Sequence, residues 1–277
     1  MLGSLFDPVD SAESIKFTTC HDIHPTALIA PGAKISPDVS IGPYTLIGEH
    51  VSIGQGSVIG AHVVIDGWTT IGESNQISTG AIIGNCPQDL KFAGEVSSVT
   101  IGNNNTIREY VTINRGTTGG GGVTCIGNHN LIMTSVHVAH DVQMGHHNII
   151  ANAVGIAGHV VIDDWVTIGF GSGIHQFVML GRMAMIGAGS MISKDVVPYT
   201  LVAGNSPKLY GLNIERLRRN GFSLEARKEI HRAYKILFNS GLSLDKAIEK
   251  IEEECPKNDT IKCFLTFLRR TSRGIYR

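Results

Sequence analysis

The chain has 277 residues, of which 42% are hydrophobic and 17% are charged, and its formal net charge is −1. This length and composition are sufficient for a sizeable folded core. The sequence has no apolar run of the ~18 or more residues that a membrane span requires, and its near-neutral balance gives no indication of nucleic-acid binding.

Residues 1–20 carry the acidic side chains Asp7, Asp10 and Glu13 but only one basic side chain, Lys16. This pattern differs from that of a signal or transit peptide, so we expect a short N-terminal extension. The five cysteines are scattered and include no CxxC pair. They suit the reducing environment of the cytoplasm better than a disulfide framework.

An aliphatic residue recurs at every sixth position through most of the chain. Isoleucine occupies this position from Ile23 to Ile83, and the period returns at residues 101–113 and 126–192. Neither a helix nor an ordinary strand has this period, whereas a hexapeptide repeat is typical of a parallel β-helix. The 26 hexads predict short strands joined by tight corners, with three strands closing each coil of about 18 residues.

Two segments leave the repeat and are predicted to be loops. Residues 84–100 contain Pro87 and several charged side chains, and residues 114–125 contain four consecutive glycines. The repeat fails at Pro198, where an aliphatic residue is due. We therefore expect the β-helix to cover residues 21–204.

Residues 205–277 are predicted to form a small helical domain, reached through a connection at residues 199–213. Ser223 and Ser243 are suited to cap two helices, and a third helix is expected over about residues 260–270. Gly241 and Pro256 separate these three helical segments.

The two parts of the chain differ in charge. Residues 1–204 hold 7 Lys/Arg against 15 Asp/Glu, whereas residues 205–277 hold 16 against 9. The basic C-terminal part is either an ordinary solvated helical surface or a docking site for an acidic partner or for phosphates.

Seven of the twelve histidines lie within residues 129–175. The hexad register is unbroken there, so residues 18 apart should stack, with His140 on Gly158 and Asp141 on His159. The backbone N–H of Gly158 would then lie about 5 Å from His140. A base beside a backbone donor suits acyl transfer, because the base takes a proton from the attacking group and the donor stabilises the oxyanion.

Several polar motifs occur in a defined order along the repeat and the C-terminal part. They are Gln88-Asp89-Leu90-Lys91, His137-Val138-Ala139-His140-Asp141, Ala157-Gly158-His159, His175-Gln176-Phe177, and the segment from Asn213-Ile214-Glu215 to Gly221-Phe222. Together with the hexads they resemble the family of acyl-carrier-protein–UDP-N-acetylglucosamine O-acyltransferases over about residues 23–277. The resemblance implies an all-β left-handed parallel β-helix followed by a small helical domain, assembled as a homotrimer.

The resemblance also implies the reaction. A 3-hydroxyacyl chain would pass directly from acyl carrier protein to the 3-hydroxyl of UDP-N-acetylglucosamine, the first step of lipid A biosynthesis, without a metal or cofactor. His140 would be the general base, Asp141 would hold it, and the Gly158 N–H would be the oxyanion donor. Since a histidine base must be neutral, activity should fall on the acid side.

The other implied site residues contact the substrates. The implied substrate-binding residues are Gln88, Asp89, Lys91, His137, His159, His175, Gln176, Asn213, Glu215 and Arg219. The acyl groove would end around Met185 and Ala188, and the methyl of Ala188 would favour a shorter chain than the glycine that the family often has. The acidic carrier protein could be attracted by Arg216, Arg218, Arg219, Arg227, Lys228 and Arg232.

Two positions depart from the family pattern. Asn220 stands where the family often has a second arginine before Gly-Phe, and Asn114 stands where we expect histidine. We therefore expect the phosphate contacts to be distributed differently here, with no catalytic role for Asn220 or Asn114.

Three alternatives remain open. One is an N-acyltransferase acting on a UDP-3-amino sugar, although the related enzyme of this kind carries an additional N-terminal domain. Another is a zinc enzyme like the γ-class carbonic anhydrases, which use a similar β-helix trimer and three histidines. The third is a solenoid with a purely structural role, which would leave the ordered polar motifs unexplained.

Overall fold

The structure is a computed structural model that describes residues 23–277. The predicted N-terminal extension, residues 1–20, lies outside the described residues. The described chain folds as a long β-solenoid followed by four helices.

Most strands of the solenoid contain two residues, the aliphatic residue of a hexad and the residue before it. The first nine are β1 (Leu28–Ile29), β2 (Lys34–Ile35), β3 (Ser40–Ile41), β4 (Leu46–Ile47), β5 (Ser52–Ile53), β6 (Val58–Ile59), β7 (Val64–Ile65), β8 (Trp68–Ile71) and β9 (Gln76–Ile77). The next nine are β10 (Ile82–Asn85), β11 (Ser98–Ile101), β12 (Thr106–Ile107), β13 (Thr112–Asn114), β14 (Val123–Ile126), β15 (Leu131–Ile132), β16 (His137–Val138), β17 (Gln143–Met144) and β18 (Ile149–Ile150). The last nine are β19 (Gly155–Ile156), β20 (Val161–Ile162), β21 (Thr167–Ile168), β22 (Gly173–Ile174), β23 (Met179–Leu180), β24 (Met185–Ile186), β25 (Met191–Ile192), β26 (Thr200–Ala203) and β27 (Lys208–Leu212).

These strands form three sheets of nine, eight and ten strands, and the coils wind left-handed. The nine-stranded sheet runs in the order β1-β4-β7-β10-β13-β16-β19-β22-β25, so each strand pairs with the strand three positions further along. The pairs are parallel, and Ile29 lies beside Ile47, which lies beside Ile65. The predicted fold class and the 18-residue coil are thereby confirmed.

The aliphatic residue of each hexad points into the solenoid. Ile65, Ile83, Ile113 and Val138 lie beside one another on successive coils and are fully buried. Burying a side chain of this kind contributes about 1.5–3 kcal/mol. Each inner coil makes such contacts with the coil on either side, so every added coil increases the stability of the solenoid.

A second column inside the solenoid is polar and connected by hydrogen bonds. The Oδ1 of Asn75 accepts from the Nδ2 of Asn105 at 3.0 Å, and the Oδ1 of Asn105 accepts from the Nδ2 of Asn130 at 3.0 Å. The backbone N–H of Asn148 then donates to the Oδ1 of Asn130 at 2.8 Å. These buried asparagines occupy a hexad position where the sequence pattern predicts small or β-branched residues, and their hydrogen bonds offset the cost of burying amides.

Both predicted loops are shorter than the sequence indicates. The first loop lies between β10 and β11, at residues 86–97, and the second lies between β13 and β14, at residues 115–122. The residues at the ends of each predicted segment continue the strands of neighbouring coils. The second loop contains a short 3-10 turn at Thr118–Gly120.

The predicted connection at residues 199–213 contains the antiparallel pair β26 and β27. β26 pairs in parallel with β24, so the ten-stranded sheet continues beyond Pro198, where the hexad pattern ends. The connection therefore contains two strands that the hexad pattern does not indicate, because strand pairing here does not need the repeat.

Helix α1 (Ile214–Arg219) follows β27 and was not predicted. The three predicted helices are present as α2 (Leu224–Asn239), α3 (Leu244–Glu254) and α4 (Asp259–Arg270). The hydroxyls of Ser223 and Ser243 cap α2 and α3, as predicted. None of the helices in the described part of the chain is long and apolar enough to cross a bilayer.

The last residues of the chain return to the solenoid at Asp195, which is fully buried. Its Oδ1 accepts from the N–H of Met179 at 2.8 Å. Its Oδ2 accepts from the hydroxyl of Thr271 at 2.6 Å and from the N–H groups of Ser272 and Arg273 at 3.1 and 3.3 Å. One carboxylate therefore fastens the C-terminal segment to the last coil.

Replacing Asp195 by alanine should lower the free energy of unfolding by about 2–4 kcal/mol, since several buried donors lose their acceptor. Denaturant unfolding measures the change. Asp66→Ala, at an exposed solenoid position, is the matched control. Equal losses in the two variants would show that Asp195 is not an important attachment point.

Candidate active site

A cavity of about 820 Å³ lies on the outer face of the nine-stranded sheet. Eight of the predicted site residues line it, namely Gln88, Asp89, Lys91, His137, His140, Gly158, His175 and Gln176. They come from the first loop and from three successive coils. Parallel stacking of the coils therefore brings together motifs that are distant in sequence.

His140 is buried and forms a close pair with the next residue. Its Nδ1 lies 2.8 Å from the Oδ2 of Asp141. Because a carboxylate accepts hydrogen bonds, Nδ1 carries the proton, and Nε2 of the neutral ring keeps its lone pair. This arrangement leaves Nε2 able to accept a proton.

Gly158 lies directly against the His140 ring, one coil further along, as the register predicts. A Cβ at this position would lie 2.7 Å from Nε2 and 2.6 Å from Cε1 of His140, so the close approach requires glycine. Within the described residues the backbone N–H of Gly158 has no hydrogen-bond acceptor. A free donor therefore lies beside the histidine.

Asp141 is held from several directions. Its Oδ1 accepts from the N–H of Thr117 at 2.8 Å, and its Oδ2 accepts from the hydroxyl of Thr117 at 2.6 Å. Its own N–H donates to the hydroxyl of Thr124 at 2.8 Å. These bonds hold a residue whose φ of +62° lies in the left-handed region, which is uncommon for residues other than glycine.

His159 and His137 flank the pair. The His159 ring meets the His140 ring edge-on at 5.0 Å, and its Nε2 lies 3.8 Å from the Oδ2 of Asp141. Burial lowers the pKa of His159, although the nearby carboxylate of Asp141 opposes the shift. Burial lowers the pKa of His137. Both rings therefore stay neutral to lower pH than an isolated histidine.

The first loop is fixed to the solenoid by a cation–aromatic contact. The Arg115 guanidinium lies 5.4 Å from the ring centre of Phe92 in the first loop and 5.9 Å from that of Trp68 in β8. Its Nη2 also lies 3.4 Å from the Sγ of Cys86. Arg115 itself follows β13, at the start of the second loop, so it connects the two loops.

A second contact between the loops involves Glu95. Its Oε1 accepts from the N–H of Thr118 in the second loop at 3.3 Å, and its Oε2 accepts from the N–H of Ala93 at 2.8 Å. The first loop carries Asp89 and the second contacts Asp141. The two halves of the candidate site are therefore mechanically linked.

The predicted residues of the C-terminal part do not line the cavity. The Asn213 side chain caps α1 by accepting from the N–H of Arg216 at 3.3 Å, and it donates to the carbonyl of Met183 at 3.1 Å. Glu215 pairs with Arg219 at 2.8 Å and with Arg218 at 3.0 Å. Asn213 therefore has a structural role within the chain, and Glu215 and Arg219 lie on the exposed surface of α1.

Arg216 is not part of the exposed basic surface that the sequence suggests. Its guanidinium lies 5.4 Å from the ring centre of Trp165, and its Nη2 donates to the Trp165 carbonyl at 3.3 Å. The Trp165 ring stacks in turn on His147 at 4.2 Å. Arg216 therefore anchors α1 to the solenoid.

Met185 and Ala188, the predicted end of the acyl groove, also lie outside this cavity. Met185 begins β24 in the ten-stranded sheet, and Ala188 is exposed at the corner that follows. Within a single chain, the cavity ends near Met191 and Ser193. Met191 follows His137, Gly155 and Gly173 in register on the nine-stranded sheet.

Sequence reasoning missed Met191 and Thr117. The 18-residue spacing from His137 through Gly155 and Gly173 could have identified Met191. No signal in the sequence could have identified Thr117, because its contact with Asp141 depends on how the second loop folds back.

His140, Asp141 and His159 are the residues that could hold a metal, because one ligand atom from each lies within 4.8 Å of the others. However, the Oδ2 of Asp141 already accepts from His140 and from Thr117. Binding a cation there would require these hydrogen bonds to be replaced. The observed hydrogen bonding suits a base and its carboxylate partner.

The fold and the site together define a hexapeptide-repeat acyltransferase. A family model described as UDP N-acetylglucosamine O-acyltransferase, domain 2, matches residues 195–276. The chain is similar to the UDP-N-acetylglucosamine O-acyltransferase of Moraxella catarrhalis RH4, with 43% identity, a TM-score of 0.91, and coverage of 92% of this chain and 99% of that one. The chain belongs to the UDP-N-acetylglucosamine O-acyltransferase family.

Two further solved structures agree. The enzyme from Acinetobacter baumannii is 46% identical with a TM-score of 0.90, and 92% of this chain and 99% of that chain are covered. The UDP-N-acetylglucosamine acyltransferase of Bacteroides fragilis 9343 is 44% identical with a TM-score of 0.89, and 92% of this chain and 100% of that chain are covered. The similarity therefore extends over the solenoid and the helices together.

Replacing Arg115 by alanine should increase amide hydrogen exchange in residues 86–97 by about tenfold, because two cation–aromatic contacts are lost. Hydrogen-exchange mass spectrometry measures the effect. The control is Arg108→Ala, which removes an exposed arginine paired with Glu109 elsewhere on the solenoid. Unchanged exchange in the first loop would contradict an anchoring role for Arg115.

Proposed function

We propose that the enzyme transfers a 3-hydroxyacyl chain from the thioester of acyl carrier protein to the 3-hydroxyl of UDP-N-acetylglucosamine, the first step of lipid A biosynthesis. The main observation in support is the His140–Asp141 pair beside the free N–H of Gly158, in a cavity that polar and apolar side chains line together. Family membership supports the same reaction.

In the proposed mechanism His140 acts as a general base. Its Nε2 takes the proton of the sugar hydroxyl while the hydroxyl oxygen attacks the thioester carbonyl carbon. The Asp141 carboxylate stabilises the imidazolium that forms. General base catalysis of this kind contributes about 10²–10⁴-fold.

The Gly158 N–H donates to the oxyanion that develops on the carbonyl oxygen. An oxyanion donor of this kind is worth about 10²–10³-fold in rate. Collapse of the tetrahedral intermediate breaks the carbon–sulfur bond, and the leaving thiolate takes the proton from His140. The base is thereby regenerated without a covalent enzyme intermediate or a metal.

The acceptor is proposed to lie between the first loop and the coil that carries His175. Asp89 can accept hydrogen bonds from sugar hydroxyls, and Lys91 brings a positive charge for the diphosphate. His137, His175 and Gln176 line the same cavity. His159 contributes by packing on His140 and so shaping the pocket.

The proposed assembly is a homotrimer in which neighbouring copies complete each site. Asn213, Glu215 and Arg219, like Met185 and Ala188, lie on surfaces other than the His140 cavity of the same chain. In a threefold arrangement these surfaces of an adjacent copy can face the cavity. They would then supply the nucleotide contacts and the end of the acyl groove.

The proposed location is the cytoplasm. The described cysteines, Cys86, Cys125, Cys255 and Cys263, are all free thiols, which suits a reducing compartment. Of the basic residues expected to attract the acidic carrier, Lys228 is exposed on α2, and Arg232 pairs with Glu254. Arg216 is excluded from this role by its position over Trp165.

Purified enzyme should transfer 3-hydroxyacyl chains from a panel of acyl carrier proteins to UDP-N-acetylglucosamine, and a metal chelator should not reduce the rate. Mass spectrometry of the product gives the preferred chain length. His140→Ala should lower kcat by about 10²–10⁴-fold. The fall of the rate at low pH should also be lost in this variant, because a protonated histidine cannot accept the hydroxyl proton.

Other outcomes distinguish the alternatives. Transfer only to the UDP-3-amino sugar would favour an N-acyltransferase. Loss of activity on chelation, with stoichiometric zinc in the protein, would favour the metalloenzyme. Near-normal turnover of His140→Ala with an unchanged pH profile would exclude the proposed base.

Mixed oligomers test the shared site. His140→Ala and Arg219→Ala variants should each be weakly active alone. After joint refolding, mixed trimers should regain activity, because some interfaces then combine the intact His140 of one copy with the intact Arg219 of another. Native mass spectrometry measures the subunit composition. Mixed trimers without regained activity would place both residues in the site of the same copy.

A further inference from the structure

The second loop contains a residue that contacts the proposed catalytic pair directly. Thr117 is buried, with 5% of its surface exposed. It donates two hydrogen bonds to Asp141, from its N–H to Oδ1 at 2.8 Å and from its hydroxyl to Oδ2 at 2.6 Å. Both carboxylate oxygens are therefore held by one residue.

We propose that Thr117 is the positioning residue that fixes the Asp141 carboxylate and, through it, the His140 ring. This inference rests on the proposed function, in which His140 is the base. Thr117 does not line the cavity in which the substrates are proposed to bind. It acts by limiting how the carboxylate can turn.

The hydroxyl of Thr117 donates to Asp141 and makes no hydrogen bond that caps the turn. Thr117 precedes the 3-10 turn at the N-cap position, where a threonine hydroxyl commonly accepts from the backbone of the turn. Here it makes no such cap bond. The turn is closed instead by the Thr117 carbonyl, which accepts from the N–H groups of Gly120 and Gly122 at 3.0 and 2.8 Å.

The glycines of the loop permit this close approach. A Cβ at Gly116 would lie 2.8 Å from the Oδ1 of Asp141, and one at Gly120 would overlap the Asp141 carboxylate. A loop with side chains at these positions would have to move away from Asp141. Packing against the carboxylate thus explains Gly120, whereas Gly121 and Gly122 face open space and have φ angles of +91° and +80°, in the left-handed region.

The geometry links the hydroxyl to the base. The Oδ2 of Asp141 accepts from the Thr117 hydroxyl and from the Nδ1 of His140 at 2.8 Å. Without the hydroxyl, the carboxylate can rotate about its Cβ–Cγ bond, and the His140 ring loses its fixed orientation over Gly158. A small misalignment of a reacting group can be costly in rate.

Thr117→Val keeps the shape of the side chain and the N–H but removes the hydroxyl. It should lower kcat about tenfold, while KM for both substrates stays within about twofold, because the lost bond acts on the chemical step. Thr117→Ser keeps the hydroxyl and should stay within about threefold of the wild-type kcat. Thr79→Val, at an exposed corner of the solenoid outside the cavity, is the matched control and should leave kcat unchanged.

A double-mutant cycle separates positioning from a purely structural effect. If Thr117 acts through Asp141, adding Thr117→Val to Asp141→Asn should lower kcat by less than about twofold. A tenfold loss in both backgrounds, or a Thr117→Ser variant as slow as Thr117→Val, would overturn the inference. If melting curves show that Thr117→Val is misfolded, Thr117→Ala, which adds no bulk, replaces it in the cycle.

The same series distinguishes failure of the inference from failure of the proposed function. Slow His140→Ala and Asp141→Asn variants with a normal Thr117→Val variant would reject Thr117 alone. Near-normal turnover in all of these variants would reject His140 as the base, and the inference with it.

Discussion

The structure depends on one constraint, the parallel pairing of residues 18 positions apart. Strands in neighbouring coils lie about 4.8 Å apart, so side chains at equivalent positions form columns along the solenoid. Ile65, Ile83, Ile113 and Val138 make one such column inside, and His137, Gly155, Gly173 and Met191 make one outside. A change of register by one residue would exchange the inner and outer faces, so the buried column also fixes which side chains face the cavity.

The two loops are compatible with this constraint because they enter and leave the solenoid without altering the register. Buried asparagines that hydrogen-bond between adjacent coils are 30 positions apart across the first loop and 25 across the second. Where no loop intervenes, the spacing is 18. The additional residues form the loops at 86–97 and 115–122, which fold over the outer surface. There they supply what a regular repeat cannot, namely the Asp89 side chain at the cavity and the hydrogen bonds of Thr117 to Asp141. Arg115 and Glu95 connect the two loops. The wall of the cavity that is proposed to bind the acceptor and the wall that carries His140 are therefore held by one set of contacts.

Much of this arrangement follows from the sequence, and the remainder does not, for definable physical reasons. The period predicts the coils and the stacking of His140 on Gly158, and the capping residues Ser223 and Ser243 predict two of the helices, because these features depend on local pattern. The pairing of β26 with β24 has no repeat to indicate it, and α1 is short and lies beside the solenoid through the contact of Arg216 with Trp165. Thr117 becomes recognisable only when distant residues meet, whereas the 18-residue spacing already indicates Met191. The left-handed winding came from family resemblance, since the common handedness of parallel crossovers is right-handed.

The position of Asp141 illustrates why a buried carboxylate in the proposed catalytic role requires so many partners. Removing a charged group from water costs several kcal/mol unless hydrogen bonds replace its hydration. Asp141 is 3% exposed, yet Thr117 and His140 provide its oxygens with three donors within 2.8 Å. The same bonds that make burial tolerable also remove the freedom of the carboxylate to turn. In the proposed mechanism, a histidine attached to so restricted an acceptor needs little reorganisation when it takes up a proton, so a rigid solenoid surface can provide a preorganised base.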